Sequence, residues 1–145
     1  MKKILLLSLM LVLSITIQAQ ISRAFGIQTG YSRLNGLVGV EYQMGYISIG
    51  AGYFPTQIIG ETRPSFSGSI TAYGGNWNKT CLYISLGVSS EGFAGGHVPI
   101  NILMGGAKIP FNSNWYFKTG VGVGWSGETT KFTGEISFGY QFNWK

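Results

Sequence analysis

Between Lys131 and Trp144 the chain alternates without a break. Ile136, Phe138, Tyr140, Phe142 and Trp144 fall on one side, and Glu135, Ser137, Gly139, Gln141 and Asn143 on the other, the period-2 pattern of a half-buried β-strand. Similar segments recur between turn signals and predict eight strands, hence an all-β chain. The first, about Ala24 to Arg33, sets Phe25, Ile27, Thr29 and Tyr31 against Gly26, Gln28, Gly30 and Ser32. The second sets Val38, Val40, Tyr42 and Met44 against Gly39, Glu41 and Gln43, and the third sets Ile47, Ile49, Ala51 and Tyr53 against Ser48, Gly50 and Gly52. The fourth opposes Phe66, Ile70 and Ala72 to Ser67, Ser69 and Thr71, and the fifth opposes Leu82, Ile84, Leu86 and Val88 to Tyr83, Ser85 and Gly87. In the sixth the apolar side is expected to be Val98, Ile100, Ile102 and Met104, although Leu103 breaks the rule. The seventh sets Trp115, Phe117, Val121, Val123 and Trp125 against Lys118, Gly120, Gly122 and Gly124.

The connections add a second pattern. Asn35-Gly36 suits a tight hairpin, because both residues tolerate positive φ. Gly45, Gly74 to Asn78, and Pro110 to Asn114 predict short turns, whereas Pro55 to Pro64, Ser89 to Gly96 and Ser126 to Thr130 predict longer irregular loops. Short turns at one end and longer loops at the other are the arrangement of a spanning barrel. The aromatic residues divide likewise, with Tyr31, Tyr53 and Trp125 towards the loop end and Phe111, Trp115, Phe142 and Trp144 towards the turn end.

The first residues follow a different rule: Lys2 and Lys3 precede an apolar run from Ile4 to Ile17, and Ala19 stands before Gln20. That is the layout of a secretory signal peptide over residues 1–19, leaving a single domain over 20–145. The apolar run is too short to span roughly 30 Å of hydrocarbon as a helix. Removing the two lysines lowers the formal charge from +5 to +3, and no basic cluster remains that would bind nucleic acid. Charged residues make up only 10% of the chain, against about a quarter in ordinary soluble domains. A surface in water needs interspersed charge, so the apolar faces are expected to meet lipid and the Gly, Ser, Thr and Gln faces to fill a narrow interior. Cys81 is the lone cysteine, which leaves no partner for an intrachain disulfide.

With its export signal, strand count and aromatic-rich last strand, the chain resembles the small eight-stranded bacterial outer-membrane β-barrels, a class that includes the OmpX-like proteins and the OmpA transmembrane domain. Trp144 is followed by Lys145, a departure from a terminal aromatic residue. The resemblance implies a monomeric up-and-down barrel in the bacterial outer membrane, without cofactor. Its structural or surface-interaction role would be carried by loops, here 55–64 and 89–97, toward an unidentified partner. Two alternatives stand beside it. One is a secreted lipocalin-like barrel with a small apolar ligand inside, and the other an enzyme acting on lipid A.

Candidate chemistry is sparse. The chain has no aspartate and one histidine, His97, so neither a Ser-His-Asp triad nor a multi-histidine metal site can be assembled. Ser89, Ser90 and Glu91 share its loop, but the lipid A deacylase pattern, a histidine followed two residues later by serine, is absent: Val98 and Pro99 follow His97. No catalytic, metal or cofactor-binding residue is assigned. The glycine run 120–124 lies in a strand pattern and precedes no helix, so it predicts a smooth inner face with room for Tyr83 or Tyr116. Glu41, Lys118 and Glu135 share the inward parity, and Lys118 is expected to pair with a glutamate across the lumen, because buried charge needs a partner.

Overall fold

The computed structural model describes residues 23–58, 61–75, 78–93 and 96–144; the predicted signal peptide lies outside them. They form a closed antiparallel barrel of eight strands joined in sequence order. The strands are β1 (Arg23–Ser32), β2 (Val38–Met44), β3 (Ile47–Ile58), β4 (Glu61–Tyr73), β5 (Cys81–Phe93), β6 (Gly96–Pro110), β7 (Trp115–Ser126) and β8 (Thr129–Trp144). Closure is made by β8 on β1, in register from Arg23 opposite Trp144 to Ser32 opposite Glu135. Closing the sheet removes its edges, which is what a chain rich in β-branched and aromatic residues needs to avoid pairing with others.

Alternation sets sidedness as expected on seven of the eight strands. Ile49, Ile70, Ile84, Leu86, Val121, Ile136 and Phe138 stand exposed on the outside, while Gln28, Glu41, Ser48, Ser69, Thr71, Ser85, Lys118, Glu135 and Ser137 are buried inside. The exception is β6. Ile100, Ile102 and Met104 point inward and are almost wholly buried, and Leu103 faces out. The cause is that β6 is apolar on both faces at this level, so local pattern cannot rank them. Pairing does rank them, because Leu103 stands opposite outward Leu86 and Val123, and directly paired residues share a face.

Three predicted loops are instead strand. Residues 55–58 and 61–64 continue the β3–β4 ladder from Phe54 opposite Ser65 to Ile58 opposite Glu61. Residues 89–93 and 96–97 belong to the β5–β6 ladder, which runs on to Phe93 opposite Gly96. At 126–130 the turn shrinks to two residues between Ser126 and Thr129, with Gly127 at φ +55°. Pro55 stands directly opposite Pro64, and a residue without an N–H fits only a rung that does not bond across. The outer edges there carry no ladder either, since β2 leaves β3 at Val38–Tyr53 and β4 leaves β5 at Ser67–Ser89. Ser90 bridges that parting: its Oγ accepts from the Phe66 N–H at 3.0 Å and donates to the Phe66 carbonyl at 3.1 Å.

The first connection corrects the expectation of a tight Asn35-Gly36 hairpin. The β1–β2 ladder stops at Thr29 opposite Val38, while β1 continues on β8 alone as far as Ser32. The intervening residues fold into the barrel mouth, and Leu34 is 0% exposed.

Glycines facing the lumen make room for large side chains, as the 120–124 run predicts. A Cβ on Gly120 would lie 2.5 Å from the Tyr83 hydroxyl, and one on Gly139 would overlap the Tyr116 ring. Gly139→Ala is therefore expected to cost about 1–3 kcal/mol by overpacking. Outward Gly68, where a Cβ meets nothing within 4 Å, should tolerate alanine without loss; urea unfolding of the two variants, followed by tryptophan fluorescence, checks the contrast.

Candidate functional site

The lumen holds the chain's concentration of buried polar chemistry. Strand parity delivers it: Glu41 from β2, Tyr73 from β4, Tyr83 from β5, Lys108 from β6, Tyr116 and Lys118 from β7, and Glu135 and Gln141 from β8 all occupy inward positions and are buried. Lys108 and Lys118 are direct cross-strand partners, a placement that repels unless something intervenes.

What intervenes is a set of carboxylates and aromatic faces. Lys118 Nζ lies 3.6 Å from Glu41 Oε2, an ion pair rather than a hydrogen bond, and 4.8 Å from the centroid of Tyr83. Lys108 Nζ donates to Gln141 Oε1 at 3.1 Å and sits 4.2 Å above Tyr116. The Tyr73 ring lies within reach of both ammonium groups, at 5.3 Å and 5.8 Å. Such faces attract cations most strongly where water is absent. Glu41 also accepts hydrogen bonds from Ser48 and the Tyr73 hydroxyl. Among the described residues, two lysines and two glutamates are thus buried in the lumen, and their formal charges cancel.

Glu135 links this layer to the mouth. Its Oε2 accepts from the Tyr83 hydroxyl at 2.5 Å, and its Oε1 accepts from Asn35 Nδ2 at 2.7 Å and Ser137 Oγ at 3.3 Å. Above it, Leu34 packs against Ile100, Ile102 and Met104 in an apolar cluster, and the Leu34 carbonyl accepts from Ser67 Oγ at 2.7 Å. Below, a cavity of only about 10 Å³ is lined by Ala24, Gly26, Glu41, Gln43, Lys108, Tyr116 and Gln141, about the space for one water.

The expected cross-lumen pairing of Lys118 with a glutamate is present, and Glu41 is the partner. Lys108 was not anticipated. It shares its parity with Ile100, Ile102 and Met104, so assigning those residues to the outside hid the lysine as well. Leu34 was missed because nothing local distinguishes an aliphatic residue in a turn from one that turns inward. The one available signal was that a two-residue hairpin is unusually short for the loop end of a barrel.

The residues weighed for catalysis are spread along the β5–β6 ladder. Ser89 pairs with Ile100 and His97 with Gly92, three rungs further along. Ser89 Oγ is buried inside the barrel without a hydrogen-bond partner, and Ser90 is committed to Phe66. Cys81 is a buried free thiol grouped with Tyr73 and Tyr83.

No family model, curated protein or solved structure matches this chain.

Lys118→Met is expected to destabilise the barrel by about 3–5 kcal/mol, since it strands Glu41 as an unpaired buried charge. Adding Glu41→Gln to the same chain should recover most of that loss. A double-mutant cycle from urea titrations in detergent micelles tests it, and a double variant no more stable than the single one would refute the pairing as the cause.

Proposed function

We propose that this chain is a small bacterial outer-membrane barrel, closed to ions, whose role is structural or in surface interaction rather than catalytic. The observation that carries this reading is the sidedness of the closed sheet. On the described strands no charged residue faces outward between the aromatic positions at the two ends, while Glu41, Lys108, Lys118 and Glu135 are sequestered inside. Left in water, so large a continuous apolar surface is an aggregation liability.

Dimensions support the same reading. Trp115 to Trp125 on β7 and Phe132 to Phe142 on β8 are outward pairs ten residues apart. At about 3.3 Å per residue and roughly 40° of tilt this gives about 25 Å, the height of the apolar band of an outer-membrane barrel. Thr29, polar yet outward, spends its hydroxyl on the Leu37 carbonyl at 3.0 Å, as lipid demands of any polar group. A soluble barrel carrying an apolar ligand has the opposite sidedness, and here the apolar part of the lumen is filled by Leu34.

Interaction with a partner falls to the mouth, where the β3–β4 and β5–β6 hairpins run on past the ladders to their neighbours. Within the expected loops 55–64 and 89–97, residues 55–58, 61–64, 89–93 and 96–97 are presented as paired strand rather than as loose loop. The mature chain then needs no cofactor and works as a monomer.

Membrane fractionation with a heat-dependent gel shift tests residence, and planar-bilayer recording tests closure; recovery in the soluble periplasmic fraction, or steady large conductance, would overturn the respective half. A mutational pair tests sidedness. Ile84→Arg, on a side chain 56% exposed at mid-height, should cost about 2–4 kcal/mol in lipid. Ser85→Arg, one residue along and buried, should fail by crowding in bilayer and micelle alike, whereas the Ile84→Arg penalty should shrink in micelles that admit water.

A further inference from the structure

We propose that Pro55, Pro64 and Pro99 close the free edges of the two mouth hairpins to strand addition, so that copies of this chain do not join there backbone to backbone. Its bearing on function rests on the mouth being the face presented to other proteins; the edges themselves follow from the ladders alone.

Closing the sheet removes the edges of the wall, but four strands outgrow it. The β2–β3 ladder ends at Tyr53, the β4–β5 ladder at Ser67 opposite Ser89, and the β6–β7 ladder at Asn101. The β3–β4 and β5–β6 ladders run on to Ile58 opposite Glu61 and to Phe93 opposite Gly96. Residues 54–58, 61–66, 90–93 and 96–100 therefore carry a ladder on one side only. A bare edge of this kind is a template for another strand.

Alternation along an antiparallel ladder decides which backbone groups look outward. Pro55 stands opposite Pro64, and Pro99 opposite Ser90. A rung that contains proline cannot exchange both bonds, so these are non-bonded rungs, and their backbone groups point away from the partner strand. The outward positions then fall at Tyr53, Pro55 and Gln57 on β3, at Phe66, Pro64 and Thr62 on β4, and at Asn101, Pro99 and His97 on β6. Hydrogen bonds agree with this assignment. The Tyr53 carbonyl accepts from the Leu37 N–H at 2.8 Å, and the Phe66 N–H and carbonyl are both bound to Ser90 Oγ. Past these points the next outward position on each of the three edges is proline. An incoming strand would find one outward N–H beyond it, on Gln57, Thr62 or His97, and a single donor does not build a ladder.

The fourth edge, Ser90 to Phe93 on β5, faces β4 across the parting, where an added strand would have Pro64 on its other side. Packing does not account for the prolines, because all three are exposed. Three of the chain's four prolines stand at these positions. Edges are commonly blunted by charge or by proline, and a chain with 10% charged residues has little of the first to spend.

The test compares the full mature chain with a variant carrying Pro55→Thr, Pro64→Thr and Pro99→Thr, both in detergent micelles. Threonine favours strands and restores an N–H at each exposed position. Light scattering on a sizing column reads the mass, and amide hydrogen exchange reads which residues assembly protects. The triple variant should self-associate more tightly, about fivefold for each restored N–H that finds an acceptor, with new protection at 54–58, 61–66 or 96–100. Pro110→Thr, at the turn end of β6, should change nothing. A triple variant that gives the heat-shifted folded band yet stays as monomeric as the parent overturns the proposal. So does association without protection at these edges, or a parent chain that already assembles with them protected. Should the triple variant fail to fold, the three single variants are read in the same two ways, and association by none of them overturns the proposal. Membrane residence is judged by fractionation, so failure here leaves that reading standing.

Discussion

Eight strands closed on themselves leave an interior just wide enough for side chains, and that steric limit governs everything else in this molecule. Each inward residue shares its level with those of the facing strands, so a large group on one strand requires a small one elsewhere. Tyr83 lies across Gly120 and Gly106, and Tyr116 across Gly139 and Gly26. The glycines that weaken an isolated strand thus become, in the closed barrel, the volume into which the tyrosines fit. Pattern and packing are one constraint seen from two sides.

The same narrowness decides the electrostatics. With room for hardly any water, four formal charges persist inside only by compensating one another. The lumen supplies Glu41 to Lys118, Gln141 and the Tyr116 face to Lys108, and the Tyr73 ring near both. Moving these groups to the outer surface would place them where the apolar side chains of β3, β5 and β8 stand. Buried ion pairs are weak evidence for stability, because desolvation offsets most of their attraction. Their value here is positional. Lys118 meets Glu41 across the lumen only while β2 and β7 each keep register with their own neighbours, and a slip of one residue in either strand would turn its charged residue outward and its apolar side chains inward.

Much of this was legible in the sequence, and the failures have a common physical origin. Strict alternation on β1, β3, β5 and β8 carries strand identity, face and closure, because each has one apolar and one small or polar side. On β6 both sides are apolar around Ile102 and Leu103, and the face is set by pairing with β5 and β7, which no local window contains. One ambiguity at Ile102 therefore displaced Lys108, six residues away on the same face. At 55–64 and 89–97 proline and glycine read as loop signals, yet on a hairpin without outer neighbours a missing N–H leaves nothing unsatisfied across the Pro55–Pro64 rung. Leu34 depended on volume left by glycines of β2, β3 and β5, a property of the closed barrel and not of any segment.

The two layers inside the lumen also act on each other. Leu34, Ile100, Ile102 and Met104 lie on the mouth side of Glu135, so the carboxylate has apolar neighbours above and hydroxyl and amide donors around it. Hydrogen bonds to a charged acceptor gain strength as water is withdrawn. The bonds from Asn35 and Tyr83 to Glu135 are therefore stronger because Leu34 is seated, and Leu34 is held in part because Asn35 reaches Glu135. The reciprocity makes the inturned segment and the polar network of the lumen one packed unit, which a merely apolar filling would not do. The two layers meet at a single carboxylate, and whatever alters the charge or position of Glu135 acts on the mouth and the charged floor together.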